Sequence, residues 1–100
     1  MIKLWIDDVR PAPEGYYWRE SVNVAKCLIQ MCEKKGIKIE LLDLDHDAGC
    51  FADDGGDYIK LLDWLEETGR NYPIRIHSMN PVGIQNMRAI IQRNGWKEVR

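Results

Sequence analysis

Asp45, His46 and Asp47 close the stretch Ile39 to Asp47, I-E-L-L-D-L-D-H-D, where an apolar run fit for a buried strand ends in acids and an imidazole, with Asp43 just ahead of them. Carboxylates at that density raise one another's pKa unless something positive joins them, and a bound divalent cation resolves the conflict. A histidine beside a carboxylate moves protons near neutral pH. Two other segments end in the same way. The run from Lys3 closes in Asp7-Asp8, a pair of oxygen donors suited to a hard cation such as Mg²⁺. Ile74 to Asn80 ends in His77, Ser78 and Asn80, and Pro81-x-Gly83 then opens a helix whose free N–H groups form an anion site. Arg10 either clamps a phosphate in bidentate fashion or pairs with one of the nearby acids.

Each group has a plainer reading beside it. Asp7-Asp8 suits a solvated turn with a capping aspartate, Asp45-His46-Asp47 a polar surface turn, and Asn80-Pro81 an ordinary capped helix. Against these stands the placement of both histidines, with the acids, at the ends of apolar runs.

The elements that position these groups follow from periodicity and punctuation. Ile2 to Asp7 reads as a first strand, and Arg10 to Gly15, with two prolines and a glycine, as a loop. Tyr16 to Arg19 reads as a short second strand of undetermined direction, because parallel neighbours usually need a crossover of about a dozen residues or more. Ser21 caps a helix carried by Val22, Ala25, Leu28, Ile29 and Cys32, which Lys34-Lys35-Gly36 closes. After the central strand comes a loop from Ala48 to Gly56, then Asp57 as the cap of a helix from Tyr58 to about Thr68. Tyr72 to Ser78 is a further strand, Asn80-Pro81 opens a last helix that Gly95 stops, and Trp96 to Val99 suits a final edge strand. Strands alternating with helices imply an α/β protein with a mostly parallel sheet covered on both sides, where ligands bind beyond the carboxyl ends of the strands.

Composition narrows the function further. The chain has 100 residues and a formal net charge of −2, which suits a single domain over residues 1–100 without a broad basic face for nucleic acid. No apolar stretch approaches the roughly 20 residues of a spanning helix, and no leader pattern opens the chain, so a cytoplasmic location without membrane contact is expected. Cys27, Cys32 and Cys50 are odd in number and lack paired zinc spacing. Trp5, Trp18, Trp64 and Trp96 are expected in or at the edge of the core.

Asp7-Asp8-x-Arg10-Pro11 with its following Pro-x-Gly, Leu44-Asp45-His46-Asp47, and His77-Ser78-x-Asn80-Pro81-x-Gly83-x-x-x-Met87 together resemble the cyclic-phosphate processing receiver family, an offshoot of response-regulator receiver domains. The resemblance spans nearly the whole chain. It implies a flavodoxin-like, receiver-like three-layer sandwich, reduced by loss of the usual first helix. Asp7 and Asp8 then match the receiver's metal-binding acids, Asp45 its phospho-acceptor aspartate, and Ser78 its hydroxyl residue. A receiver's fifth strand normally ends in lysine and proline, and no residue here clearly supplies that cation. Both strand-end histidines are foreign to ordinary receivers.

The leading expectation from these observations is a metal-dependent phosphoesterase acting on cyclic phosphates, such as 2',3'-cyclic ends of RNA or nucleotides. Mg²⁺ or Mn²⁺ is held by Asp8 and Asp45 with help from Asp7 or Asp47. His46 and His77 move the protons, while Arg10, Ser78, Asn80 and Gly83 seat the phosphate. Attack by Asp45 itself is the mechanistic variant. The alternatives are a receiver that is phosphorylated on Asp45, and a non-catalytic module that binds phosphates, nucleotides or a protein partner.

Overall fold

The computed structural model describes residues 1–100. In chain order it contains β1 (Ile2–Ile6), β2 (Tyr16–Arg19), α1 (Val22–Lys35), β3 (Ile39–Leu44), a 3-10 turn over Gly49–Asp53, α2 (Ile59–Glu67), β4 (Ile74–Ile76) and α3 (Pro81–Asn94). The strands form one sheet in the order β2-β1-β3-β4, and every pair in it is parallel. This is the flavodoxin-like order up to its last strand. The segment Trp96 to Val99 supplies only a single parallel bridge, Ile74 to Glu98, in place of an edge strand.

Local chemistry explains the helices. The Ser21 hydroxyl accepts the Val24 N–H at 3.2 Å to start α1, and Gly36, at φ 71°, ends it in the left-handed conformation that suits glycine. Asn80 caps α3 by accepting the Gly83 N–H at 3.0 Å, with Pro81 in the first turn. Asp57 departs from expectation. Its carboxylate accepts the Ala48 N–H at 3.0 Å instead of capping α2, so a contact across the loop wins over the local cap. That loop, from Ala48 to Gly56, also contains the 3-10 turn. β4 is shorter than the stretch Tyr72 to Ser78, although Leu42 N–H to Pro73 O and His77 N–H to Leu44 O extend the pairing at both ends.

β2 runs parallel to β1, with Lys3 opposite Tyr16 and Ile6 opposite Arg19. The connections β2-α1-β3 and β3-α2-β4 cross the sheet in the same direction, and a right-handed crossover therefore places both helices on one face. Buried residues of α1, α2 and α3 accordingly join Leu4, Ile6, Leu42, Leu44 and Ile74 in a single cluster of 20. The link from β1 to β2 crosses the other way. Here it is the loop of Arg10 to Gly15, so no helix covers the face that bears Lys3, Trp5, Leu41, Asp43 and Arg75. The receiver-like α/β class is as expected, but the three layers become two, with the second face closed by side chains and the loop. The Trp5 indole N–H donates to Arg10 O at 2.9 Å and ties that loop down. No helix is long and apolar enough to cross a membrane.

Candidate functional site

The sheet register builds the site. Ile6 lies opposite Leu44, and Leu44 opposite Ile76, so Asp7, Asp45 and His77 leave three adjacent strands at one level. The Asp45 N–H donates to Ile6 O at 3.0 Å and the His77 N–H to Leu44 O at 3.0 Å, which carries the ladder up to the site. Carboxylate oxygens of Asp7, Asp8 and Asp45 lie within 4.8 Å of one another.

Asp7 is fully buried. Its Oδ1 accepts the backbone N–H groups of Val9 and Arg10, each at 3.0 Å, and its Oδ2 accepts from His77 Nε2 at 2.9 Å. Burial pushes its pKa up, but the two backbone donors and His77 outweigh it and hold the carboxyl below the usual aspartate value. Asp8 goes the other way. Burial, reinforced by the negative charges of Asp7 and Asp45 and opposed by its own backbone N–H, raises its pKa. Gly49 leaves room for it, since a Cβ there would sit 2.4 Å from Asp8 Oδ2. Beneath the cluster is Tyr58, whose ionisation is pushed far up by burial and by Asp8, Asp7 and Asp45. Its hydroxyl donates to Glu20 O at 2.8 Å.

His77 is held at both ends. Nδ1 meets Asp43 Oδ1 at 2.7 Å while Nε2 meets Asp7 Oδ2, an arrangement that an imidazolium with two N–H groups satisfies. The Trp5 indole stacks flat on the ring, with centroids 3.7 Å apart and planes 2° from parallel. The sequence counted Asp43 among the clustered acids but gave it no role, and it expected Trp5 only to pack. The available signal was Asp43 itself, a charge inside an apolar strand.

His46 sits at the neighbouring corner. Its Nδ1 faces Asp47 Oδ1 at 2.8 Å, and a Cβ on Gly83 would lie 2.5 Å from its Cγ. Gly83 is therefore the clearance for an imidazole, and its N–H is already taken by Asn80. Replacing Gly83 with alanine raises helix propensity by about 1 kcal/mol but forces a clash of the overpacking kind, about 1–3 kcal/mol. We expect a lower melting temperature and a displaced His46 ring, read by calorimetry and by histidine NMR shifts.

The remaining expected site residues divide. Asp47 stands apart from the three acids, paired with His46 and grouped with Asp57. Ser78 Oγ accepts the Asn80 N–H at 3.0 Å and keeps its own hydrogen. Asn80 spends Oδ1 on the helix cap and turns Nδ2 toward Asp47 at 3.5 Å. Arg10 does not pair with an acid; its guanidinium donates to His77 O at 2.8 Å and stays exposed at the rim. Lys97 lies beside Ile74, at the amino end of β4 and far from the acids. The largest cavity, about 440 Å³, is also at that opposite end, around Ile37 to Glu40, with Lys38 and Glu40 as its only charged side chains.

A parallel sheet in this order, with acids after its first and third strands and a hydroxyl after its fourth, defines a receiver-like domain. The chain belongs to the cyclic-phosphate processing receiver domain family, whose model matches residues 2–93. No curated protein and no solved structure matches it.

Proposed function

We propose that the domain is a metal-dependent phosphoesterase that opens cyclic phosphates, such as 2',3'-cyclic ends of RNA or nucleotides. The observation that carries this reading is the three-acid cluster of Asp7, Asp8 and Asp45 flanked by two ring-oriented histidines at one sheet edge. The donor set fits a hard cation, because it is all oxygen and Asp8, its pKa raised first by burial and then by Asp7 and Asp45, carries an ionised form that a cation would stabilise. Asp7, Asp8 and Asp45 would hold Mg²⁺ or Mn²⁺, which supplies charge neutralisation at a non-bridging oxygen when bound.

The chain's own groups do the rest. Asp47 accepts Nδ1–H of His46, the tautomer that leaves Nε2 as an acceptor for a water proton. The water oxygen bonds to phosphorus as the bond to the sugar oxygen breaks, and His77 supplies the proton that this oxygen takes up. Ser78 O–H and Arg10 face the anion from the rim. Asp45 would serve as a phosphate acceptor in the receiver reading, which the strand-end placement of Asp45 and Ser78 favours and the remote Lys97 disfavours.

The test is a panel of cyclic mononucleotides and RNA with cyclic-phosphate ends, incubated with Mg²⁺ or Mn²⁺ and followed by phosphorus NMR. Conversion to a monoester is the expected result. A panel left unopened, with a stable added phosphate on the intact protein after a small phosphodonor, would replace the enzyme by the switch.

A further inference from the structure

Asp43 takes no part in the proposed reaction, yet it is fully buried one residue before the end of β3 and has three side-chain partners. Tyr16 Oη donates to its Oδ2 at 3.2 Å, Arg75 to the same oxygen at 3.0 Å, and His77 Nδ1 meets its Oδ1 at 2.7 Å. The far nitrogen of that ring reaches Asp7 Oδ2 at 2.9 Å, and the stacked Trp5 limits the ring to one plane. Asp7 Oδ1 is already engaged by two backbone N–H groups. Oδ2, with one donor against two on Oδ1, is thus the oxygen Asp7 has to offer a cation, and His77 already donates to it.

We infer that Asp43 is a positioning residue that, through His77, latches Asp7 Oδ2, so that a cation and the His77 Nε2–H compete for that oxygen. The second half rests on the metal site proposed above; the hold of Asp43 on His77 does not. Hydrogen bonds to charged groups are roughly twice as strong as neutral ones, and the ring is fixed by one at each end. With the Asp43 end weakened, the imidazole turns and its grip on Asp7 loosens. A cation then meets less competition for that oxygen, while the proton donor loses its aim.

The test uses the full chain labelled with ¹⁵N-histidine, first without metal. Both ring N–H groups of His77 are expected to be protected from solvent exchange. Asp43→Asn should weaken both protections, whereas Asp7→Asn should weaken that of Nε2 alone. Arg75→Gln, at a half-exposed side chain, loosens Asp43 from the far side and should speed both exchanges about threefold or more. Mn²⁺ titration is the second readout. Asp43→Asn and His77→Gln should each tighten binding about three- to tenfold, and the double variant no further, since a residue acting through another is non-additive with it. Undiminished Nε2 protection in Asp43→Asn or in Arg75→Gln overturns the positioning role. Additive Mn²⁺ effects overturn the latch. A native chain that binds no Mn²⁺ removes the metal reading and the latch with it, while the exchange data still decide what Asp43 does.

Discussion

In metal-free buffer at neutral pH, Asp8→Asn is expected to melt above the native chain and Asp7→Asn below it. The two acids are neighbours, but their environments push them apart. Asp8 has its pKa raised by burial and by the charges of Asp7 and Asp45. Its contribution to stability is therefore present below the ordinary aspartate value and is lost as pH rises through the raised one, so removing the ionised form helps at neutral pH. Asp7 has its pKa lowered by Arg10, Val9 and His77 in spite of burial. Its contribution is present above the ordinary value and lost as pH falls through the lowered one. The gap between the two variants should close on acidification. Adding Mg²⁺ at about 100 times its dissociation constant contributes about 2.7 kcal/mol, on the order of 10–20 °C for a domain of this size. That increment should be largely absent in Asp8→Asn. Melting curves across pH with and without Mg²⁺ check all of this, and equal shifts in both variants would remove the electrostatic account of the cluster.

His46→Gln is expected to lower turnover of the cyclic phosphate that the native chain opens by about a hundredfold or more, the usual range for loss of a positioned base. Glutamine keeps much of the volume packed against Gly83 but cannot take the water proton. The melting temperature should stay within a few degrees of the native one. Asp47→Asn, which keeps the ring but weakens its partner, should fall between the two in activity. Full turnover in His46→Gln would take this residue out of the chemistry.

Much of the site was readable because its residues end apolar runs, and a parallel sheet collects such ends on one edge. Asp7, Asp8, Asp45 and His77 come together in this way, and His46, next to Asp45 in the chain, turns to Asp47. Gly83 and Asn80 were readable as part of a helix start, but not for what they do there, since the approach of His46 to Gly83 links residues far apart in the chain. Asp43 was opaque for a different reason: alternation along a strand says which face a residue joins, not which partners wait on it. Asp57 fits the local rule for a cap, and the Ala48 N–H nevertheless claims it. Crossover handedness made the two-layer outcome derivable once the first helix was known to be absent, but alternation of strands and helices alone suggests cover on both faces.

The register that pairs Ile6 with Leu44 and Leu44 with Ile76 means that the separation of the acids and of His77 is inherited from the spacing of a β-sheet, about 4.8 Å per strand. The spacing of Asp7, Asp45 and His77 is then a lattice constant of the fold, and only Asp8 is set by the bend beyond β1. Solvent therefore has little to rearrange when a charged guest arrives, and variation in the surrounding turns can alter who is admitted without altering the bite of the site.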